Sequence, residues 1–187
     1  MTAALETIHV LIVDDNRQMR HLIRSMLWGL GLRRIYQAGD AIEALEIMHS
    51  ADVDVVLLDW MMQPLSGLEC ARLLRAASDS PRPLCGIVMV SGYADKGRVR
   101  QARDAGVNSF LAKPLSARAL QEHVTAAAAD TRPFIRSLGY IGPDRRRGHD
   151  LGYQGPLRRS EDVQHAHFGD LPPQVLQPRP RKLARTP

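Results

Sequence analysis

Cysteine is scarce: Cys70 and Cys85 are the only two in 187 residues. With no His or further Cys beside either, they build neither a disulfide framework nor a thiolate metal site, and read as buried free thiols of a cytoplasmic protein. Long apolar runs are missing as well. No stretch approaches the roughly 20 residues that a membrane-spanning helix needs, so no membrane insertion is expected. The N-terminus lacks the basic segment leading into an apolar one that marks a secretory signal. No repeat at a fixed period is visible. After residue 129 there is no helix-turn-helix, no second enzyme motif and no stretch that reads as an output domain of ordinary size.

What is present is enough apolar material for a core, 44% of all residues, and an uneven distribution of charge. Residues 1–129 carry 14 Lys and Arg against 14 Asp and Glu, while residues 130–187 carry 11 against 6, so the formal charge of +5 lies entirely in the C-terminal part. Eight of the 12 prolines also fall there. The chain therefore divides into a globular domain, 7–129, and a basic, Pro- and Gly-containing extension, 130–187. That extension is too poor in apolar residues for a second core and is expected to be largely irregular or disordered. Residues 134–147 are the candidate exception. Phe134, Ile135, Leu138, Tyr140 and Ile141 have the character to dock on the globular part, against its last helix, leaving 143–147 as a basic turn.

Along the globular part, apolar runs alternate with helical periodicity. Strands are expected at 8–13, 33–38, 53–59, 84–90 and 109–112, and helices at 17–30, 41–49, from Ser66 to about Ala77, at 96–105 and at 117–129. In the first helix Met19, Leu22, Ile23, Met26, Leu27 and Leu30 share a face; in the third, Leu68, Ala71, Leu73, Leu74 and Ala77 do. Five strand-and-helix units in strict alternation with short connections imply a parallel sheet with helices on both faces. The run Val55–Val56–Leu57–Leu58 suits a central strand covered on both sides.

Such a sheet places its chemistry beyond the carboxyl ends of its strands. There the sequence supplies Asp14 and Asp15 after the first strand, Asp59 after the third, Ser91 after the fourth and Lys113 after the fifth. Taken singly, each has a plainer reading as a helix cap, a turn or a solvated strand end. Four such ends in order form a constellation. Three neighbouring carboxylates repel unless they share a cation, and hard oxygen donors beside a phosphate are typical of Mg²⁺. The remaining groups suit a phosphoryl transfer to Asp59 giving an acyl phosphate, with the Lys113 ammonium neutralising phosphoryl oxygens and Ser91 donating to one.

The segments IVDD (12–15), LLDWMMQPLSG (57–67), VMVSGY (88–93) and SFLAKP (109–114) resemble the receiver domain of two-component response regulators, of the stand-alone, chemotaxis-regulator-like kind. The resemblance implies the flavodoxin-like fold of five parallel strands. It makes Asp59 the phosphoacceptor, with Mg²⁺ bound by Asp15, Asp59 and the main-chain carbonyl of Met61, and by Asp14 through water. It makes Ser91 the switch hydroxyl, Lys113 the phosphate-contacting lysine and Phe110 the switch aromatic, turning inward from a solvent-facing rotamer. The implied partners are a histidine kinase or phosphotransfer protein and a downstream protein target, with no enzymatic activity beyond self-catalysed phosphorylation and dephosphorylation. Gln63 intervenes before Pro64 where the family usually has proline directly after the methionine, which points to a changed loop path with the spacing from Asp59 to Gly67 kept. Ser66 stands where an acid is frequent. Met61 and Tyr93 occupy the positions that tune phosphoryl lifetime, and their size and apolar character should hinder an attacking water.

Rival readings meet specific obstacles. A phosphoaspartate hydrolase of the dehalogenase type needs a second Asp two residues after the nucleophile, where this chain has Met61. A flavodoxin-like redox module needs a phosphate-cradling loop after the first strand, where Asp14 and Asp15 would repel a flavin phosphate. The basic extension leaves room for partner or nucleic-acid binding, but it contains nothing like a base-reading element, so nucleic acid is not the expected partner.

Overall fold

The computed structural model describes residues 5–76, 80, 82–137, 140–144 and 174–176. Within them the chain runs β1 (His9–Val13), α1 (Arg17–Gly29), β2 (Arg34–Ala38), α2 (Ala41–Ser50), β3 (Val55–Asp59), α3 (Gly67–Ala76), β4 (Gly86–Ser91), α4 (Lys96–Asp104), β5 (Ser109–Ala112) and α5 (Ala117–Ala128). The five strands form one parallel sheet in the order β2-β1-β3-β4-β5. β3 sits at its centre, and all five of its residues are buried. An apolar run is what such a strand requires, because neither of its faces meets water.

Two apolar layers sandwich the sheet. One packs Ile23 and Leu27 of α1 and Leu120 and Val124 of α5 against Val10, Ile12, Val55 and Leu57. The other packs Ala44 and Met48 of α2, Cys70, Ala71 and Leu74 of α3 and Ala102 of α4 against Leu11, Val13, Val56, Leu58 and Met89. Alternate strand residues thus point to opposite layers. Helix starts are fixed locally: Asn16, Asp40, Asp95 and Ser116 cap α1, α2, α4 and α5 through side-chain oxygens that accept from main-chain N–H groups. Before α3, Ser66 Oγ accepts from Glu69 N while Glu69 Oε2 accepts from Ser66 N, a reciprocal pair that ties up two otherwise orphan donors.

Two assignments of apolar faces need correction. Leu22 is 53% exposed and Leu73 38% exposed. Each helix meets the sheet along a stripe narrower than the periodicity suggests, with Ile23 and Leu27 filling it in α1 and Cys70, Ala71 and Leu74 in α3. Ala77 lies outside the described residues.

The extension departs further from expectation. Phe134–Ser137 (β6) and Tyr140–Pro143 (β7) form an antiparallel pair, and Gln174–Leu176 (β8) adds to the other edge of β6. Pro143 is part of β7 rather than of a following turn; residues 145–147 lie outside the described residues. The hairpin meets α3 and the turn between α4 and β5 rather than α5, the seat expected from sequence. Phe134 is 1% exposed. Its ring lies under the guanidinium of Arg75 from α3, 5.0 Å from Cζ to centroid. Arg75 is itself fully buried: its N–H groups donate to Gly106 O at 3.0 Å, Pro83 O at 2.7 Å and Asn108 Oδ1 at 2.8 Å. Burial pushes its pKa below the usual arginine value, so these acceptors and the ring face are what offset the desolvation of the cation. Gly106, at φ +81°, admits the hairpin backbone: a Cβ there would stand 2.2 Å from Ile141 O. The sequence signal for this seat was an arginine inside an otherwise apolar helical stripe, indistinguishable from a surface residue until its partners are known.

Candidate functional site

β1 and β3 are adjacent and parallel, with Val13 opposite Leu58. The residues that follow, Asp14, and that end β3, Asp59, therefore emerge side by side. Asp14 is 3% exposed and Asp59 6%. Lys113, directly after β5, reaches across to both: its Nζ lies 2.6 Å from Asp59 Oδ1 and 3.6 Å from Asp14 Oδ2. Two carboxylates from different strand ends thus share one ammonium, which lies 54 positions beyond Asp59 in the sequence. Asp59 Oδ2 accepts from Met61 N at 2.7 Å, and Asp14 Oδ1 from Asn16 N at 2.8 Å. Burial, helped by repulsion from Asp59 and Asp15, raises the Asp14 carboxyl above the usual carboxylate range, against the opposing pull of the Asn16 N–H and the Lys113 charge.

The loop after β3 is held short by a close approach. Gly67 N donates to Trp60 O at 3.0 Å, and a Cβ on Gly67 would stand 1.9 Å from Asp59 O. Only glycine lets α3 begin so close against the end of β3, which fixes where the loop through Gln63 and Pro64 must close. The peptide bonds before Pro64 and Pro114 are both cis.

Ser91 ends β4 and is 1% exposed. Its hydroxyl is engaged with the main chain of Tyr93, accepting from Tyr93 N and donating to Tyr93 O, each at 3.1 Å. Phe110 in β5 does not face solvent as expected. It is half-buried, with its ring 6.2 Å from that of Trp60 and inclined by 60°. Trp60 follows Asp59 directly, so the aromatic of β5 already touches the neighbour of the central carboxylate. Met61 and Tyr93 stand at the mouth, 64% and 65% exposed.

Asp15 is exposed at the rim, beside the buried pair. Among the described residues no group of three or more His, Cys, Asp or Glu side chains stands close enough together to hold a metal ion by itself. Two neighbouring buried carboxylates with a third, exposed acid beside them supply a hard, oxygen-only donor set. That set fits Mg²⁺, which is usually bound through one or two carboxylates and keeps several waters, and it fits softer metals poorly. Trp60 and Arg98, described below, are site neighbours that sequence reasoning did not single out.

The sequence profile described as the response regulator receiver domain matches residues 10–125. This chain belongs to the response regulator receiver family. The chemotaxis protein CheY of Pseudomonas aeruginosa is 34% identical over 115 residues, 62% of this chain and 91% of that one. A CheY-3 of Vibrio cholerae is 31% identical over 117 residues, 63% and 88% of the two chains. Among solved structures, a receiver domain from a sensor histidine kinase of Pseudomonas aeruginosa, crystallised with a magnesium ion in its active-site cleft, is similar at a TM-score of 0.58, with 28% identity, over 66% of this chain and 98% of that one. CheY4 of Vibrio cholerae matches at 0.59 over 64% and 98%, and its 24% identity speaks to fold alone. Phosphorylation on an aspartate is a general property of the family. The family profile ends at residue 125, within α5, so the hairpin and β8 lie beyond the residues it matches. No helix among the described residues is long and apolar enough to cross a membrane.

Proposed function

We propose that this receiver accepts a phosphoryl group on Asp59 from a phosphohistidine of a histidine kinase or phosphotransfer protein in the cytoplasm, and signals through protein contacts. The observation that carries the reading is the Lys113 ammonium set between the buried carboxylates of Asp59 and Asp14. A carboxylate oxygen of Asp59 attacks phosphorus in line, the P–N bond to the donor imidazole breaks, and an acyl phosphate forms. Lys113 is placed to follow the charge from the carboxylate onto the phosphoryl oxygens. Asp14, Asp15, Asp59 and the Met61 carbonyl are the groups that would hold Mg²⁺, whose charge neutralises the phosphoryl oxygens when it is bound. In the resetting step water attacks phosphorus, the P–O bond to Asp59 breaks, and inorganic phosphate is released while the Asp59 carboxylate is regenerated on the chain. Both steps occur on the protein itself, so its role is that of a switch rather than of an enzyme acting on an outside substrate.

The switching step uses contacts already present. To donate to a phosphoryl oxygen, Ser91 must give up the Tyr93 carbonyl, which frees the 91–93 turn to move. Phe110, packed on Trp60, then has room to turn further inward, altering the surface of α4, β5 and α5. Incubation with radiolabelled acetyl phosphate tests the reading. Label should appear with Mg²⁺ present, and be lost with chelator or in Asp59→Ala. Equal labelling of Asp59→Ala would reject it.

A further inference from the structure

Arg98, in the first turn of α4, takes no part in the phosphoryl chemistry yet stands against both residues that flank it. Its Cζ lies 4.8 Å from the centroid of Tyr93 and 5.5 Å from that of Trp60. Its Nε is 3.4 Å from Asp95 Oδ2, and Asp95 caps the same helix through Arg98 N. Nη1 is buried and has no hydrogen-bond partner among the described residues. The head group is therefore held in place chiefly by two aromatic faces and one acid of its own helix. A guanidinium seldom buries a nitrogen without an acceptor unless ring contacts offset the loss.

The two rings are not incidental. Trp60 follows Asp59 and also packs against Phe110, ring centroids 6.2 Å apart. Tyr93 supplies the main-chain groups that engage the Ser91 hydroxyl. One cation on α4 thus contacts both the residue that follows Asp59 and the residue whose main chain holds Ser91. We propose that Arg98 is a positioning residue that clamps Trp60 and Tyr93 in the unphosphorylated arrangement, and so sets how much phosphoryl binding energy is needed to release Ser91 and Phe110. The inference rests on the phosphoryl-switch reading above and adds to it a residue on α4. When Ser91 gives up Tyr93 the turn that bears the Tyr93 ring loses both of its hydrogen bonds to that hydroxyl, and Phe110 packs on Trp60, so movement on either side is opposed by the Arg98 contacts.

The test uses the full chain labelled with 4-fluorophenylalanine, which gives three ¹⁹F signals because there are three phenylalanines. Phe110→Leu assigns the relevant one. Beryllium fluoride with Mg²⁺, a phosphoryl-mimicking anion, is titrated while the Phe110 signal is followed. Removing both ring contacts in Arg98→Met should lower the beryllium fluoride concentration for half-switching roughly tenfold, because the clamped state no longer reduces apparent affinity. Arg98→Lys, which keeps the charge, should stay within about threefold of wild type. Tyr93→Leu, which removes one ring and leaves α4 untouched, should fall between, and it carries the test if Arg98→Met does not fold. A wild-type titration that moves Phe110, with both Arg98→Met and Tyr93→Leu half-switching at the wild-type concentration, overturns the clamp alone. A wild-type protein whose Phe110 signal does not respond overturns the phosphoryl-switch reading and the clamp with it.

Discussion

Phe134→Ala removes the side chain on which the C-terminal hairpin is seated. The ring is 1% exposed and lies beneath a guanidinium that is itself fully buried. Truncating a fully buried phenylalanine costs about 3–5 kcal/mol in lost transfer energy and cavity formation. Here the cavity would open against Arg75, which would lose the ring face and keep its polar partners, chiefly the carbonyls of Gly106 and Pro83 and the Asn108 amide oxygen. A loss of about 4 kcal/mol, divided by a urea sensitivity of about 2 kcal/mol per molar for a domain of this size, moves the unfolding midpoint down by about 2 M. Far-UV circular dichroism in urea measures it directly. Phe134→Leu, which keeps most of the volume, should lose about half as much. A midpoint shift below about 0.5 M for Phe134→Ala would show that the hairpin does not share the receiver core, and the seat on Arg75 and Gly106 would have to be given up.

Other substitutions probe the pocket. Gly67→Ala places a Cβ 1.9 Å from Asp59 O; the main chain must yield by more than an ångström, and initial rates of acetyl-phosphate labelling should fall on the order of a hundredfold. Asp14→Asn tests the raised carboxyl. Because the folded protein keeps that proton to higher pH than the unfolded chain, whose value is near 3.8, stability from this group falls as pH climbs from that value through the raised one. The variant should accordingly be more stable than wild type near neutral pH, with the gain shrinking in thermal melts as pH falls toward the unfolded-chain value of 3.8. Met61→Asn combined with Tyr93→Glu opens the mouth to water and should speed loss of the phosphoryl group on the order of tenfold, read as decay of label after acetyl phosphate is removed. Unchanged decay would show that these exposed side chains do not screen the acyl phosphate.

The five-unit sheet was legible because its signals are local. An aliphatic run such as 55–58 has no stable place except a covered strand, and capping residues mark where each helix begins. The pocket was legible for a different reason: parallel topology brings all strand ends to one edge, so Asp14, Asp59 and Lys113 could be placed together before any distance was known. What sequence could not reveal were contacts whose meaning depends on a distant partner. Arg75 reads as a surface residue until Phe134 and Asn108 surround it, and Arg98 as one more cation of a basic helix until two rings close on it. Phe110 was placed in solvent because nothing local announces that Trp60 shelters it. Leu22 and Leu73 were placed inside because periodicity gives the direction of a face but not the width of the stripe the sheet covers. The hairpin was missed as sheet because its stability comes from the seat on α3 and the α4–β5 turn rather than from its own short strands.

The claim beneath all of this is that the carboxylate at the end of β3 becomes an acyl phosphate. Reduction with borohydride after exposure to acetyl phosphate and Mg²⁺ converts an aspartyl phosphate into homoserine, and peptide mass spectrometry then locates it. Homoserine at position 59, absent when Mg²⁺ is withheld, is the expected result. Homoserine at another acid, or none anywhere in a protein shown to be folded, would contradict the account.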